Sequence, residues 1–212
     1  ESALAAFIMG ADFILTGSIN QCSVEAGNSH QVKEMLQDIN VQYTEYAPAG
    51  DMFELGAKVQ VLRRGVFFAA RANKLYQLYS HYNSIDDLPE SIAKQIQERY
   101  FKKSFVDVWE ETLNYFRNKG LDHEIIKAEE NPKYKMALIF RWYFNYSSVI
   151  AMRGDTDSKV DYQIHTGPAL GAFNQWVKGT GLENWQNRHV DQIAHKLMQA
   201  TASLLAQQLS KY

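Results

Sequence analysis

Cysteine is almost absent from this sequence: Cys22 is the only one among 212 residues. A single thiol excludes both a disulfide framework and a cysteine-based zinc site within one chain. The motifs H-E-x-x-H and C-x-x-C are also absent, and the six histidines show no metal-ligand spacing, so no metal site is predicted. The scarcity of cysteine favours a reducing, cytoplasmic setting.

The sequence also lacks a strong net charge and a long hydrophobic run. Its formal net charge of -2 gives no electrostatic argument for binding nucleic acid or an anionic membrane. The most apolar run, Met136–Met152, contains Arg141 and Asn145 and is shorter than the roughly 20 residues that span a bilayer. Glu1–Leu4 has no basic segment typical of a signal peptide. We therefore expect a soluble, cytoplasmic protein.

Helical periodicity runs through most of the chain, so the predicted fold class is mainly α. The apolar fraction of 46% and the charged fraction of 22% are typical of a globular protein with one sizeable core or two small domains. Helices are predicted wherever apolar residues recur at three- and four-residue spacing between capping signals. They cover Ser2–Met9, His30–Ile39, Asp51–Leu62, Phe67–Tyr82, Glu90–Phe101, Phe105–Asn118, Asp122–Glu130, Asn131–Met152, Ala169–Val177 and Val190–Leu209.

One segment is predicted to be a buried strand. Asp12–Thr16 is a short apolar-leaning run between Gly10 and Gly17, and it follows a helix, so it is typical of one αβ step of a repeating α/β fold. A shorter alternating run, Val160–Ile164, is compatible with a second strand. At the carboxyl end of the first strand, Gly17 and Ser18 could offer backbone N–H groups and a hydroxyl to a phosphate. The alternative is a tight turn with no ligand.

His165 is the candidate catalytic residue of this sequence. It follows the run Val160–Ile164 and precedes the turn Gly167–Pro168, a position where functional residues often lie. A structural hydrogen-bonding role is an equal alternative. Cys22 has no base that the sequence places beside it, so an inert, buried or half-buried thiol is expected.

A local basic cluster follows the segment 51–62. It comprises Lys58, Arg63, Arg64, Arg71 and Lys74. One interpretation is a solvated helix face, and the other is a surface that receives an acidic partner or a nucleotide phosphate.

The residues also resemble a known family in four blocks that together cover essentially the whole chain. The family is that of the flavin-dependent enoyl reductases which serve polyunsaturated fatty acid synthases and trans-acyltransferase polyketide synthases. The four blocks are Gly10–Gly27, Ala47–Gly56, Lys135–Tyr143 and Asp161–Val177.

This resemblance implies a TIM-barrel flavoprotein related to nitronate monooxygenases, with a helical segment near its C-terminus. It implies an oxidoreductase in which FMN takes hydride from NAD(P)H and passes it to the β-carbon of an enoyl thioester on an acyl carrier protein. Gly17, Ser18 and Asn20 would hold the FMN phosphate. The wider superfamily often has an arginine shortly after this glycine, and Ile19 and Asn20 stand there in this sequence. The expected partners are the carrier protein and other synthase subunits.

An eight-stranded barrel takes about 250 residues, which is more than this chain offers. We therefore expect a C-terminal fragment with two parts, a last αβ step with the phosphate turn in residues 1–40 and a helical region in residues 41–212. Alone it should neither bind FMN nor reduce an enoyl substrate, and its apolar strand edge favours self-association. The alternative is a helical interaction module, from Asp51 onwards, that docks the carrier protein or another copy.

Overall fold

A computed structural model describes residues 1–211, and its secondary structure is mainly helical. The chain divides into two compact units, one of residues 1–43 with 166–211 and one of Thr44–His165. No helix within the described part of the chain is long and apolar enough to cross a membrane. The helices and strands are α1 (Ser2–Ile8), α2 (His30–Gln37), β1 (Thr44–Pro48), β2 (Lys58–Leu62), α3 (Phe68–His81), α4 (Glu90–Gln95), α5 (Phe105–Asn118), α6 (Asp122–Glu130), α7 (Pro132–Arg153), α8 (Pro168–Val177) and α9 (Val190–Leu209).

The first unit contains the chain's two ends, with α1, α2, α8 and α9. Ser29 caps α2 by accepting a hydrogen bond from the backbone N–H of Val32. Helix α8 approaches the chain after α2 so closely that a Cβ on Gly171 would lie 2.3 Å from the carbonyl carbon of Asn40. Only glycine fits at this contact. The boundary between the two units lies at Tyr43, and residues 166–211 belong to the unit of the N-terminal segment. The predicted division into residues 1–40 and 41–212 stays a prediction.

The second unit is built around α7, the longest helix. Asn131 caps α7 through the backbone N–H of Tyr134, Pro132 opens its first turn, and Gly154 ends it with a φ of 73°. Its buried side chains pack against α3, α5 and α6, so the helix is apolar on most of its circumference. These residues are Met136, Ala137, Leu138, Ile139, Phe140, Tyr143, Phe144, Ser147, Ile150 and Ala151.

Helix α4 continues as a π-helical turn, Ile96–Phe101, which ends at Lys102. Lys102 has a φ of 55°, and it is the single non-glycine residue with a positive φ in the described part of the chain. Helix α5 then begins at Ser104, whose hydroxyl and the Asp107 carboxylate form a capping box. The helices predicted from Phe67 to Met152 are confirmed, with this π-helical turn as the one irregularity.

The predicted strand Asp12–Thr16 is wrong. The segment is irregular, and the exposed fractions of Phe13 and Leu15 are 78% and 93%. A buried parallel strand needs neighbouring strands to satisfy its backbone groups, and the only strands in residues 1–211 are the two of a hairpin elsewhere in the chain. Of the predicted αβ step, the structure contains the helix, α1, but not the strand.

The predicted helix Asp51–Leu62 is also wrong, because its second half is β2. Strands β1 and β2 pair antiparallel, with Thr44 opposite Leu62 and Pro48 opposite Lys58. Gly56 adopts a φ of 70° in the connection, a conformation that glycine supplies at little steric cost. The β-branched residues Val59 and Val61 fit a strand better than a helix, and the cross-strand partner upstream settles the choice.

The segment Val160–Ile164 is not a strand. It begins in the 3₁₀-helix Thr156–Asp161 and continues without regular secondary structure to Ile164. The backbone N–H of Leu62 donates to the Ile164 carbonyl at 2.8 Å, and His165 forms an isolated bridge with Val61. In place of the predicted second strand, this segment makes one short antiparallel contact with β2.

Candidate functional site

The predicted phosphate turn is the start of a 3₁₀-helix, Ser18–Cys22. Gly17 is exposed with a φ of -103°, and a Cβ built on it meets no heavy atom within 4 Å. Ile19 and Cys22 anchor the turn because both side chains are buried. Gly17 is therefore open to solvent, while the buried side chains of Ile19 and Cys22 hold the turn in place.

One side of this turn is open around Gly17. The first N–H groups of a helix have no partner within it, so the backbone at Ser18 and Ile19 offers donors beside an open glycine. Asn20 differs from this pattern because its Nδ2 donates to the Thr16 carbonyl at 3.2 Å and to Thr16 Oγ1 at 2.9 Å. Both amide hydrogens of Asn20 thus shape the turn in this arrangement. The phosphate-binding roles of Gly17, Ser18 and Asn20 stay predictions.

Cys22, at the end of the same 3₁₀-helix, is an inert thiol. Its side chain is fully buried, and its Sγ donates to the Lys33 carbonyl at 3.2 Å. Burial raises the pKa of Cys22 to about 11, although the nearby Arg188 guanidinium acts in the opposite direction. The thiolate is the reactive form, so this cysteine is not a nucleophile at neutral pH.

Arg188 is the polar centre of the first unit and was not among the residues predicted to be functional. Its exposed fraction is 1%. Its guanidinium donates to the Leu182 carbonyl at 2.7 Å, to Asn174 Oδ1 at 2.8 Å and to the Glu183 carbonyl at 2.9 Å. This network ties the segment before α9 to α8. Nothing in the local sequence distinguishes this arginine from one on the surface.

Asn174 extends the network from α8 to α2. Its Nδ2 donates to the carbonyls of Leu36 and Ile39, both at 2.9 Å. These carbonyls lie at the C-terminal end of α2, where backbone oxygens lack partners within the helix. A half-buried amide and a buried guanidinium therefore hold three segments of the first unit together.

His165, the candidate catalytic residue, lies in the other unit and is held by hydrogen bonds. Gln163 accepts from the Ser148 hydroxyl through Oε1 at 3.1 Å, so its Nε2 is left to donate to His165 Nε2 at 2.7 Å. This pairing requires a neutral imidazole with its proton on Nδ1. Desolvation lowers the pKa of His165, with Asp51 acting in the opposite direction, even though the residue keeps an exposed edge.

A second buried charge cluster, centred on Asp161 in the segment before His165, was not predicted. Asp161 is fully buried and forms an ion pair with Arg71. Tyr143 donates its hydroxyl to Asp161 Oδ1 at 2.7 Å, and Lys102 Nζ lies 3.8 Å from Oδ2. Burial, followed by the adjacent Asp161 charge, raises the pKa of Tyr143, so this phenol stays protonated.

This ion pair corrects the predicted basic cluster. Arg71 turns inward to Asp161, so it is not part of a surface that receives a partner. Lys58, Arg63, Arg64 and Lys74 are exposed.

The predicted site residues fall in both units. Gly17, Ser18 and Asn20 belong to the unit of residues 1–43 with 166–211, whereas His165 belongs to Thr44–His165. The structure therefore brings together the three predicted phosphate residues within one turn. It places His165 with Gln163 and Ser148 instead.

Comparisons with known proteins agree on one biosynthetic class. Residues 82–162 match the family described as [acyl-carrier-protein] S-malonyltransferase, inserted helical domain. The chain is 61% identical over 209 residues to the polyketide biosynthesis protein PksE of Bacillus subtilis, covering 99% of this chain and 27% of PksE. It is 42% identical over 184 residues to a polyunsaturated fatty acid synthase protein of Thraustochytrium sp., covering 86% of this chain and 12% of that protein.

Among solved structures, the chain is similar to the enoyl reductase domain of MlnA from the macrolactin biosynthesis cluster of Bacillus amyloliquefaciens. The TM-score is 0.93 and the sequence identity 50%, over 99% of this chain and 47% of that one. The chain thus spans about half of this domain and about a quarter of PksE. Its relatives are polyketide and polyunsaturated fatty acid biosynthesis proteins, as the sequence predicted, and a structural neighbour is an enoyl reductase domain.

Proposed function

We propose that this chain forms part of an FMN-dependent enoyl reductase that acts on acyl-carrier-protein thioesters in polyketide or polyunsaturated fatty acid synthesis. The observation that carries the proposal is the likeness to the MlnA enoyl reductase domain, at 50% identity and a TM-score of 0.93. Because the chain spans 47% of that domain, it contributes only part of the catalytic site.

FMN, when bound, would carry hydride from NAD(P)H to the β-carbon of the enoyl thioester. This chain would form one side of the binding site for the FMN phosphate, which we call the phosphate wall. It consists of the open Gly17, the Ser18 hydroxyl and the first N–H groups of the 3₁₀-helix. Asn20 supports that wall by fixing Thr16. His165 is our separate candidate for proton transfer, since Gln163 Nε2 lies 2.7 Å from its Nε2 and orients the ring.

The test is to join this chain to the part of the MlnA enoyl reductase domain that it does not cover and to follow NAD(P)H oxidation with an enoyl thioester. We expect flavin-dependent turnover and a saturated thioester product. A folded fusion that binds no flavin or leaves the substrate unreduced would refute the proposal.

A matched pair of variants tests the phosphate wall. Gly17→Asp places a carboxylate where the phosphate would bind, and the exposed position with negative φ accepts the new side chain. Gly27→Asp makes the same change at another glycine whose Cβ would meet no atom within 4 Å. We expect Gly17→Asp alone to weaken FMN binding in the fusion, by about ten-fold or more because two negative charges are brought together. Equal effects of the two variants on FMN binding would show that the phosphate does not bind at Gly17.

We expect the isolated chain to bind no FMN, because the contacts on the rest of the cofactor lie outside it. The measurement is the visible absorbance of the purified chain after incubation with FMN and gel filtration. A yellow protein fraction would overturn this expectation.

A second function, docking of the carrier protein, is favoured by the family match over residues 82–162, whose description names an acyl carrier protein. A carrier protein is acidic, so exposed basic side chains such as Arg63 and Arg64 offer complementary charge. Reversing both to glutamate should weaken carrier binding if they contact it. Unchanged binding would assign Arg63 and Arg64 to the ordinary solvated surface.

A further inference from the structure

A cleft in the second unit lies between the 3₁₀-helix Phe53–Leu55, the end of α3 and the junction of α6 with α7. We call it the α6–α7 cleft. Its volume of about 460 Å³ is in the range of sites that hold small molecules. Its lining contains several charged residues, among them Lys127 and Lys133, together with the apolar residues Met52 and Leu55.

Lys133 contributes an ordered positive charge to this cleft. Its ammonium group donates to the carbonyls of Tyr79 and Tyr82 at the end of α3 and lies 4.2 Å from the centroid of the Tyr79 ring. It forms no ion pair with a carboxylate of residues 1–211. Burial lowers the pKa of Lys133, as expected for a partly buried ammonium group without a counter-charge.

Lys127 contributes a second positive charge, and its side chain is exposed. Its Nζ lies 4.0 Å from the centroid of the Tyr134 ring. The pKa of Glu124 is lowered by the hydrogen bond from the Tyr134 hydroxyl and, less strongly, by the charge of Lys127, but Glu124 forms no ion pair with this lysine. Two ammonium groups at the cleft therefore have no carboxylate partner in the described part of the chain.

The other charges of the cleft leave one positive charge in excess. Arg141 Nη1 lies 3.3 Å from Glu54 Oε1, so these two side chains largely neutralise each other. Asp51 is the remaining acidic residue of the lining. Three cations against two carboxylates favour a ligand with a single negative charge. A carboxylate has that charge, whereas a phosphate monoester carries about -1.5 to -2 at pH 7.

Two large apolar side chains of the cleft are open to solvent. The exposed fractions of Leu55 and Met52 are 83% and 44%. The rings of Tyr79 and Tyr134 also line the cleft and add apolar surface. Covering such surface is favourable, so the ligand that fits these residues has a non-polar part.

We propose that the α6–α7 cleft binds a carboxylic acid with a non-polar chain. The carboxylate contacts Lys127 and Lys133, and the chain covers Met52 and Leu55. Lys133 is already held by the end of α3, so its side chain loses little conformational freedom when the ligand binds. This inference goes beyond the proposed function and does not rest on it, because these four residues belong neither to the phosphate wall nor to the surroundings of Gln163.

The experiment measures binding of decanoate to the 212-residue chain by isothermal titration calorimetry, below the concentration at which decanoate forms micelles. Decanol and decyltrimethylammonium have the same chain with a neutral or a positive head group. We expect both to bind at least about ten-fold more weakly than decanoate, because they gain no attraction from the two lysines. Hexanoate should also bind more weakly, by up to about four-fold for each CH₂ group removed.

Two matched pairs of variants locate the ligand. Lys127→Glu should raise the Kd for decanoate by about five-fold or more, whereas Lys119→Glu, at another exposed lysine of the second unit, should change it by less than about two-fold. Leu55→Ser should raise the Kd by about three-fold or more, and Val106→Ser, at a valine that is 66% exposed, should leave it unchanged. All four substitutions replace exposed side chains, so the fold should be kept, and circular dichroism checks this.

Several results would overturn the inference. These are decanol binding as tightly as decanoate, equal effects of Lys127→Glu and Lys119→Glu, and a wild-type chain that does not bind decanoate. Tighter binding of decyl phosphate than of decanoate would show that the ligand is not a carboxylate. Enoyl reduction by the fusion enzyme is measured separately with an enoyl thioester, so neither result decides the other.

Discussion

Removing the charge of Asp161 should destabilise the second unit strongly. The substitution is Asp161→Asn, which keeps the size of the side chain and removes its charge. Asp161 is fully buried and pairs with Arg71, whose side chain is 16% exposed, and Lys102 lies 3.8 Å from its second oxygen. The variant therefore leaves a largely buried guanidinium without a counter-charge.

Breaking a buried ion pair by removing one partner costs about 3–5 kcal/mol. Two features reduce the cost here. The asparagine carbonyl can still accept the Tyr143 hydroxyl, which lies 2.7 Å from the Asp161 oxygen, and the exposed part of Arg71 keeps some hydration. We therefore expect a loss of about 2–4 kcal/mol in the free energy of unfolding.

Urea unfolding followed by far-UV circular dichroism measures this loss. The matched control is Glu98→Gln, which removes the same charge from the exposed pair with Lys94 and should cost at most about 0.5 kcal/mol. Arg71→Met combined with Asp161→Asn should cost less than the sum of the two single variants, by at least about 1 kcal/mol, because the two residues contact each other. Equal effects of Asp161→Asn and Glu98→Gln would refute the assignment of Asp161 as a buried electrostatic anchor.

Three other predictions concern Gly171, Cys22 and His165. Gly171→Ala should lower the stability of the first unit by about 1–3 kcal/mol in thermal or urea unfolding, because its Cβ would overlap the backbone of Asn40 at 2.3 Å; unchanged stability would contradict the close contact. Cys22, with its pKa of about 11, should not react with a thiol reagent at pH 8 until the chain is unfolded in urea, and rapid labelling of the native chain would show that it is accessible. Folding lowers the pKa of His165, so the contribution of this residue to stability is complete above its ordinary pKa of about 6.5 and is lost as the pH falls through the folded pKa. An NMR titration of the imidazole should give a midpoint below that of an unfolded peptide. The variant His165→Gln should remove this part of the pH dependence of stability.

The helices were predictable because their signals are local. Ser104, Asn131 and Pro132 mark helix starts, and the apolar positions of α7 are buried as their periodicity indicates. The segments 12–16 and 51–62 were predicted wrongly for one common reason. Whether a short apolar run becomes a strand depends on a partner strand, and for β2 that partner is the segment Thr44–Pro48 upstream.

The candidate site was predictable only in part. The phosphate-binding roles of Gly17, Ser18 and Asn20 stay predictions, and the amide of Asn20 is donated to Thr16, four residues earlier in the chain. Arg71 and Asp161 are 90 residues apart, and no periodic pattern links them. A cluster of this kind is assembled by packing, so the sequence shows its members only as ordinary charged residues.

Three features could be predicted from the sequence: the mainly helical class, the helix starts and ends from Phe67 to Met152, and the resemblance to enoyl reductases of polyketide and polyunsaturated fatty acid synthesis. Each of these depends on capping residues, periodicity or motif identity, all of which are local. The exposure of Phe13 and Leu15, the strand at residues 58–62, the burial of Arg188 and Asp161 and the ion pair of Arg71 follow from the three-dimensional arrangement. These outcomes depend on which distant backbone and charged groups meet, because a buried charge or an extended segment is stable only with its partner in place.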